Sequence, residues 1–315
     1  MMKIPDAPDY IQFYPTLRCN MTCSFCFNRG FANEAGIKDA DMNDFEEIVA
    51  LAAKHGIGHI DFLGGEPTLH PHITDMISII ESAGLMSSLS SNGTRVAILE
   101  TLSRRFSESL HIGISVNGVS PDKECLDYIH RYKPIIKSLF SGRHNSFQAP
   151  AFALIDPTGI AFRLIYRDAV NEADLAQCAR YPEYYQRLRQ LKSTMFNLEG
   201  VYCGGFLPDA DYSKLHNVRC PAGTTKLAVL PNGDVYPCYL LFGHHHFRLG
   251  NLLKDDFRSI WENPLLDAFR YFEKNQCPET GCELIGRCHG GCPATSYIFN
   301  GNLAGPDPRC SGLRR

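Results

Sequence analysis

The sequence has no apolar stretch of the roughly 20 residues that a membrane-spanning helix needs. Its start, Met1-Met2-Lys3-Ile4-Pro5, carries no apolar secretion segment. Together these absences predict a protein of the cytoplasm. Net charge is also scarce: 31 Lys and Arg stand against 34 Asp and Glu, a balance of −3. A nucleic-acid binder held by phosphate contacts needs a clearly basic face, so that class is excluded. No long run of one charge sign reads as an interaction tail. Internal repeats and low-complexity tracts are missing too.

Cysteine is what the chain has in excess, 13 among 315 residues. Thiols of a cytosolic protein stay reduced, which excludes a disulfide framework and points to metal or cluster ligation. The length fits one large domain, or one domain with a smaller companion, and 44% hydrophobic residues suffice for a core.

Strands and helices alternate over the first two thirds. Tyr10 to Leu17 reads as a strand that runs into the first cysteines. Residues 41–55 read as a helix: Asp41 caps it, Phe45, Ile48, Val49 and Ala52 share one face, and Gly56 stops it. A strand at 59–63 ends in Gly64-Gly65, a helix follows over 71–83, and a strand at 85–90 ends in Ser91-Asn92-Gly93. A helix over 95–106 leads to a strand at 110–116, and 125–140 reads as helical. A fifth strand is expected at 160–166, a largely helical stretch over 172–192, and a sixth strand at 195–201. Such βαβ units make a parallel sheet, and about six of them predict an α/β fold, a partial TIM-like (β/α)6 barrel. Its chemistry belongs at the carboxyl ends of the strands, where the unusual glycine and polar groups fall. After about Cys203 the periodicity fades, and Pro231-Asn232-Gly233-Asp234 reads as a hairpin turn. The expected boundary separates residues 1–202 from a small cysteine-rich domain over 203–315.

The first cysteine group is Cys19-x3-Cys23-x2-Cys26, on a loop after the first strand. Three thiolates there can hold three irons of a 4Fe–4S cube and leave the fourth open to a small molecule. A zinc site would need a fourth local ligand, and none is near. This motif resembles the signature of the radical S-adenosylmethionine (SAM) superfamily. The resemblance implies that the open iron binds SAM and that electron transfer splits it into methionine and a 5′-deoxyadenosyl radical. Phe25 occupies the position that packs the adenine in that family. Gly64-Gly65-Glu66 resembles its GGE motif, in which the carboxylate accepts from the SAM ammonium and glycines let backbone approach the ligand. Ser91, Asn92 and Ser115 match family positions near the methionine and ribose. Arg163 is placed either against the SAM carboxylate or in a structural ion pair.

The later cysteines, Cys220, Cys238, Cys277, Cys282, Cys288, Cys292 and Cys310, resemble the SPASM domain, an extension that binds two auxiliary 4Fe–4S clusters. Gly233-x4-Cys238 and Cys282-x5-Cys288-x3-Cys292 match its pattern, while Cys277-x4-Cys282 has two extra residues. By that resemblance Cys220, Cys238 and Cys292 bind an inner cluster, and Cys277, Cys282, Cys288 and Cys310 an outer one. Cys203 either completes the inner cluster or donates hydrogen to a substrate radical. Tyr239 is a second candidate hydrogen or proton donor, with packing as the alternative. Cys125 and Cys178 remain as helix-borne structural thiols, and His244-His245-His246 as a solvated loop.

The resemblance implies an oxidoreductase or maturase acting on a ribosomally made peptide or protein, by oxidation or by cross-link or thioether formation. Sulfatase-maturing relatives carry Asp where this chain has Tyr239, which speaks against that reaction. The alternatives are oxidation or side-chain removal on a tetrapyrrole or sugar, and a non-enzymatic electron-transfer protein. A flavodoxin or ferredoxin would act as reductant. Only about ten residues precede the first strand, so peptide recognition is expected from a separate protein or from the barrel face.

Overall fold

The computed structural model describes residues 5–34, 36–117, 120–141, 152, 154–195, 197–201, 220–270, 277–279, 281–283 and 290–310. Its strands are β1 (Tyr10–Phe13), β2 (His59–Phe62), β3 (Met86–Ser91), β4 (Leu110–Ser115), β5 (Ile135–Phe140), β6 (Phe162–Tyr166), β7 (Leu198–Val201), β8 (Lys226–Val229), β9 (Asp234–Tyr236) and β10 (Gly250–Asn251). The helices are α1 (Arg29–Glu34), α2 (Met42–Lys54), α3 (Ile73–Ser82), α4 (Val96–Arg105), α5 (Lys123–Tyr132), α6 (Glu172–Leu175), α7 (Tyr181–Lys192), α8 (Phe257–Trp261), α9 (Asp267–Arg270) and α10 (Pro293–Asn300).

One sheet holds all ten strands in the order β10-β9-β8-β1-β2-β3-β4-β5-β6-β7. Pairing is parallel from β8 through β1 to β7, and antiparallel for β8–β9 and β9–β10. This is the partial-barrel α/β class expected, with a difference in segmentation. Residues 125–140 are not one helix. Helix α5 ends at Tyr132, Lys133 takes a left-handed conformation, and Ile135–Phe140 forms β5. The apolar run that follows Pro134 suits either period, and burial between β4 and β6 decides for a strand. Arg163 therefore lies on the sixth strand, not the fifth. The expected helical stretch 172–192 is also two helices, because Arg180 and Pro182 open a new one at Tyr181.

Alternation along the strands builds two different faces. Ile11, Phe13, Ile60, Phe62, Ile136, Phe162 and Leu198 point to the helices and join the main core. Helix α2 meets them with Phe45, Ile48, Val49 and Ala52, and Asp41 caps it by accepting from the Asn43 and Asp44 N–H groups, as expected. The intervening residues form an inward polar layer. Gln12 lies in register with Asp61, and Asp61 with Ser88. Lys137 lies in register with Arg163, and Arg163 with Glu199. Lys226, on a strand after the expected domain boundary, joins this layer by donating to Gln12 Oε1 at 3.1 Å.

Burial pushes the Lys137 ammonium down to about 8, against the pull of the Asp61 charge. Its Nζ donates to Ser90 Oγ at 2.6 Å. Between about pH 8 and 10.5 the folded chain binds fewer protons at this site than the unfolded chain. Lys137's contribution to stability therefore rises with pH across that window. A 13C NMR titration of the Lys137 ε-carbon is expected to show a midpoint near pH 8; one near the ordinary lysine value of about 10.4 contradicts the burial argument.

Candidate active site

Cys19, Cys23 and Cys26 sit on the loop after β1, with the Cys26 N–H donating to the Cys23 carbonyl at 3.2 Å. That loop lies against the Gly64-Gly65 turn after β2. The Gly65 N–H donates to Thr16 O at 3.0 Å and the Glu66 N–H to Arg18 O at 2.8 Å. A Cβ on Gly64 would come 2.5 Å from Thr16 O, and one on Gly65 would overlap the Arg18 carbonyl. Gly64 also has a φ of +144°, which disfavours side chains. The close approach these glycines permit is thus first of all to the backbone of the cysteine loop.

Glu66 is buried, and its carboxylate is the hub of the site. Oε1 accepts from the Thr68 hydroxyl at 2.6 Å, the Thr68 N–H at 3.2 Å and the Ser91 hydroxyl at 3.0 Å. Oε2 accepts from the Asn92 N–H at 2.7 Å. Burial pushes this carboxyl up, while those hydrogen bonds oppose the shift. Glu66 therefore ties the end of β2 to the end of β3. Asn92 continues the link toward the cysteine loop, donating through Nδ2 to Asn20 Oδ1 at 2.9 Å with Cys19 Sγ 4.0 Å away. Three separated sequence motifs thus meet at one barrel mouth. Ser115 ends β4 there, in register with Lys137. Arg163 pairs with Glu199 at 3.0 Å.

No disulfide joins the described cysteines. Among the described residues, no three Cys, His, Asp or Glu side chains converge as a single metal ion requires.

Cys238 is buried, and its thiol is pushed up by burial and by Cys292 and Cys220, the two residues expected beside it at the inner cluster. The Cys310 thiol feels Cys277, its expected outer-cluster partner. Cys203 and Cys288 lie outside the described residues. Cys125 is buried on α5, and burial pushes its thiol up to about 11. Cys178 is also buried and pushed up to about 11, but it sits in the turn after α6 rather than on a helix.

Sequence reading missed a second polar cluster beside these thiols. The Tyr239 hydroxyl donates to Asp168 Oδ2 at 2.6 Å. Arg309 is fully buried, grips Asp307 at 2.7 and 3.0 Å, donates to Arg167 O at 2.8 Å and lies 3.6 Å from Asp168. Burial opposes its charge, yet Arg309 holds the Asp307 carboxyl below its usual range. Asp307 in turn accepts from the Cys292 N–H at 2.9 Å. An Asp-x-Arg pair just before the last cysteine was the only signal in the sequence. Arg309→Met leaves Asp307 and Asp168 buried without this cation. It is expected to cost about 3–5 kcal/mol and to lower iron content at the inner cluster, read by anaerobic thermal unfolding and iron assay.

The cysteine loop and the Cys238 region touch directly. Phe27, after Cys26, lies on Tyr239, after Cys238, with ring centroids 4.3 Å apart. Family models match the chain twice: the radical SAM superfamily over residues 13–140, and SPASM, an iron–sulfur cluster-binding domain, over residues 220–292. The chain is a radical SAM enzyme with a SPASM domain. Enzymes so built carry a [4Fe–4S] cluster that works with SAM, and auxiliary iron–sulfur clusters. The mycofactocin maturase MftC of Mycobacterium tuberculosis is 23% identical over 97% of this radical SAM chain and 83% of its own. The PqqA peptide cyclase of Ruegeria pomeroyi is 24% identical, over 98% of this chain and 88% of its own. Among solved structures, Streptococcus suis SuiB bound to S-adenosylmethionine superposes with a TM-score of 0.73 at 20% identity, covering 97% of this chain and 78% of that one. No described helix is long and apolar enough to cross a membrane.

Proposed function

We propose that this radical SAM enzyme is a maturase that abstracts hydrogen from a ribosomally made peptide or protein and leaves an oxidised residue, a thioether or another cross-link. Bound together, the cluster and SAM supply an electron and a 5′-deoxyadenosyl radical. The remaining tasks fall to the chain. Cys19, Cys23 and Cys26 hold three irons. Phe25, Gly64, Gly65, Glu66, Ser91, Asn92 and Ser115 form the cradle for SAM, with Glu66 fixing the two turns relative to each other. Cys220, Cys238 and Cys292 hold the inner auxiliary cluster, and Cys277, Cys282, Cys288 and Cys310 the outer one, with Cys203 able to complete the inner. Residues 1–202 supply the barrel and 203–315 the auxiliary domain, with β8 inserted beside β1. Tyr239 serves as a wall and positioning residue, because its hydroxyl proton is directed at Asp168.

The observation that carries this reading is the Phe27–Tyr239 contact. It sets the SAM-cluster loop against the segment of the auxiliary ligand Cys238, so a substrate held there is within reach of both. Alignment over nearly the whole chain with proteins named as a peptide cyclase and a maturase supports a peptide substrate. A flavodoxin or ferredoxin would deliver electrons, a separate protein would present the peptide, and the reducing cytoplasm is the compartment that suits such clusters.

The test is anaerobic reconstitution with reductant, SAM and side-chain-deuterated precursor peptides. Deuterium is expected in 5′-deoxyadenosine. Label transfer only from a small molecule such as a tetrapyrrole or sugar would replace this reading, and no SAM cleavage at all would reduce the chain to an electron carrier.

A further inference from the structure

Lys226 opens β8 and is 1% exposed, one of the largest fully buried side chains of the protein. No step of the maturase reading uses it. Resting on the cluster ligands of that reading, we propose that Lys226 is a positioning charge for the inner auxiliary cluster: its buried ammonium, set between the segments of Cys220 and Cys238, holds that cluster at a higher reduction potential than the thiolates alone would give.

The backbone fixes where this charge sits. The Lys226 N–H donates to Pro221 O at 3.2 Å, and the Gly223 N–H donates to Lys226 O at 2.9 Å. Lys226 is thus bonded directly to the residue that follows Cys220. On the other side β8 pairs with β9, Ala228 lying opposite Tyr236, two residues before Cys238. The Lys226 Nζ lies 5.6 Å from the centre of the Tyr239 ring, and Tyr239 follows Cys238. Gln12 Oε1 accepts from the same Nζ at 3.1 Å and holds it in the inward layer of the barrel. An amide oxygen and an aromatic face both favour the ammonium form of a buried lysine. Burial pushes the Cys238 thiol up, and the Lys226 charge pulls it the other way. Arg309 is buried as well, but Asp307 grips it at 2.7 and 3.0 Å, which cancels much of its field.

A thiolate-bound iron–sulfur cluster is more negative when reduced, so a cation beside it favours the reduced form. Burial preserves that attraction, which water and salt would screen at the surface. A unit charge about 10 Å away, at an effective dielectric of about 20, changes such an equilibrium roughly tenfold. Lys226 thereby makes the inner cluster the better acceptor of an electron from the substrate side.

The experiment is a redox titration of the anaerobically reconstituted enzyme, followed by electron paramagnetic resonance and run without substrate. The signal missing from Cys238→Ala marks the inner cluster. Lys226→Met is expected to lower that midpoint by about tenfold in the reduction equilibrium, which is about 59 mV for one electron. Lys226→Arg keeps the charge and should leave the midpoint in place. Loosened packing cannot imitate this pattern, because water entering the pocket favours the more negative reduced form and raises the midpoint. Lys226→Gln keeps a donor for Gln12 and replaces the methionine variant if that one loses iron. An unchanged or raised midpoint in the neutral variant, an equal shift at every cluster, or an equal fall in Lys226→Arg overturns the proposal. A Cys238→Ala enzyme that keeps every signal overturns the ligand assignment and the proposal with it. The maturase reading fails separately, if no precursor peptide passes deuterium to 5′-deoxyadenosine.

Discussion

Cys23→Ala is expected to bring reductive cleavage of SAM below about one-thousandth of the wild-type rate, because it removes a ligand from the group that carries the chemistry. Cys23 is the middle thiol of the three-cysteine loop. Without it a second iron of the cube loses its protein ligand. The auxiliary thiols belong to other segments, and that of Cys292 is braced by Asp307 and Arg309. Iron content should therefore fall by one cube, roughly a third of three clusters, rather than to nothing. Production of 5′-deoxyadenosine and an iron assay on the same preparation check both halves. Cleavage at the wild-type rate would show that Cys23 is not a cluster ligand.

Gly65→Ala should have the second largest effect, although it changes no polar group. The added Cβ would fall on the Arg18 carbonyl, and Leu17 O lies 2.6 Å away. Backbone of this kind cannot swing aside as a long side chain can. The loop bearing Cys19 to Cys26 must then retreat, and the hydrogen bonds from the Gly65 and Glu66 amides to Thr16 and Arg18 lengthen or break. A displacement of about 1 Å in groups that position reacting atoms can cost on the order of 100-fold. We expect a drop of that size in SAM cleavage, with altered cluster spectra at the N-terminal site and unchanged auxiliary cluster content. Gly30→Ala serves as the control, since a Cβ there meets nothing within 4 Å. Equal effects of the two substitutions would refute the close-packing argument.

The most local features were the most legible in the sequence. The Cys19-x3-Cys23-x2-Cys26 spacing is fixed by covalent geometry over eight residues, so it named its chemistry without a fold. Asp41 capped the helix it was expected to cap, because a cap acts over three residues. The Pro231-to-Asp234 turn joins β8 to β9 for the same reason. Legibility failed where local pattern is ambiguous. Ile135–Phe140 carries no signal that separates a buried strand from the end of a helix, and its place between β4 and β6 made it a strand.

By itself, then, the sequence determined the cysteine spacings from which the cluster ligands are proposed and the alternation that yields a partial barrel. Only the tertiary structure decided what those residues touch. It turned Gly64 and Gly65 toward the cysteine loop, made Glu66 the knot between two strand ends, and paired Arg163 with Glu199. It brought Lys226 next to Gln12, 214 residues away in the chain. Such contacts follow from strand order and register, which depend on how distant segments bury their apolar faces together, and no short window of sequence contains that information.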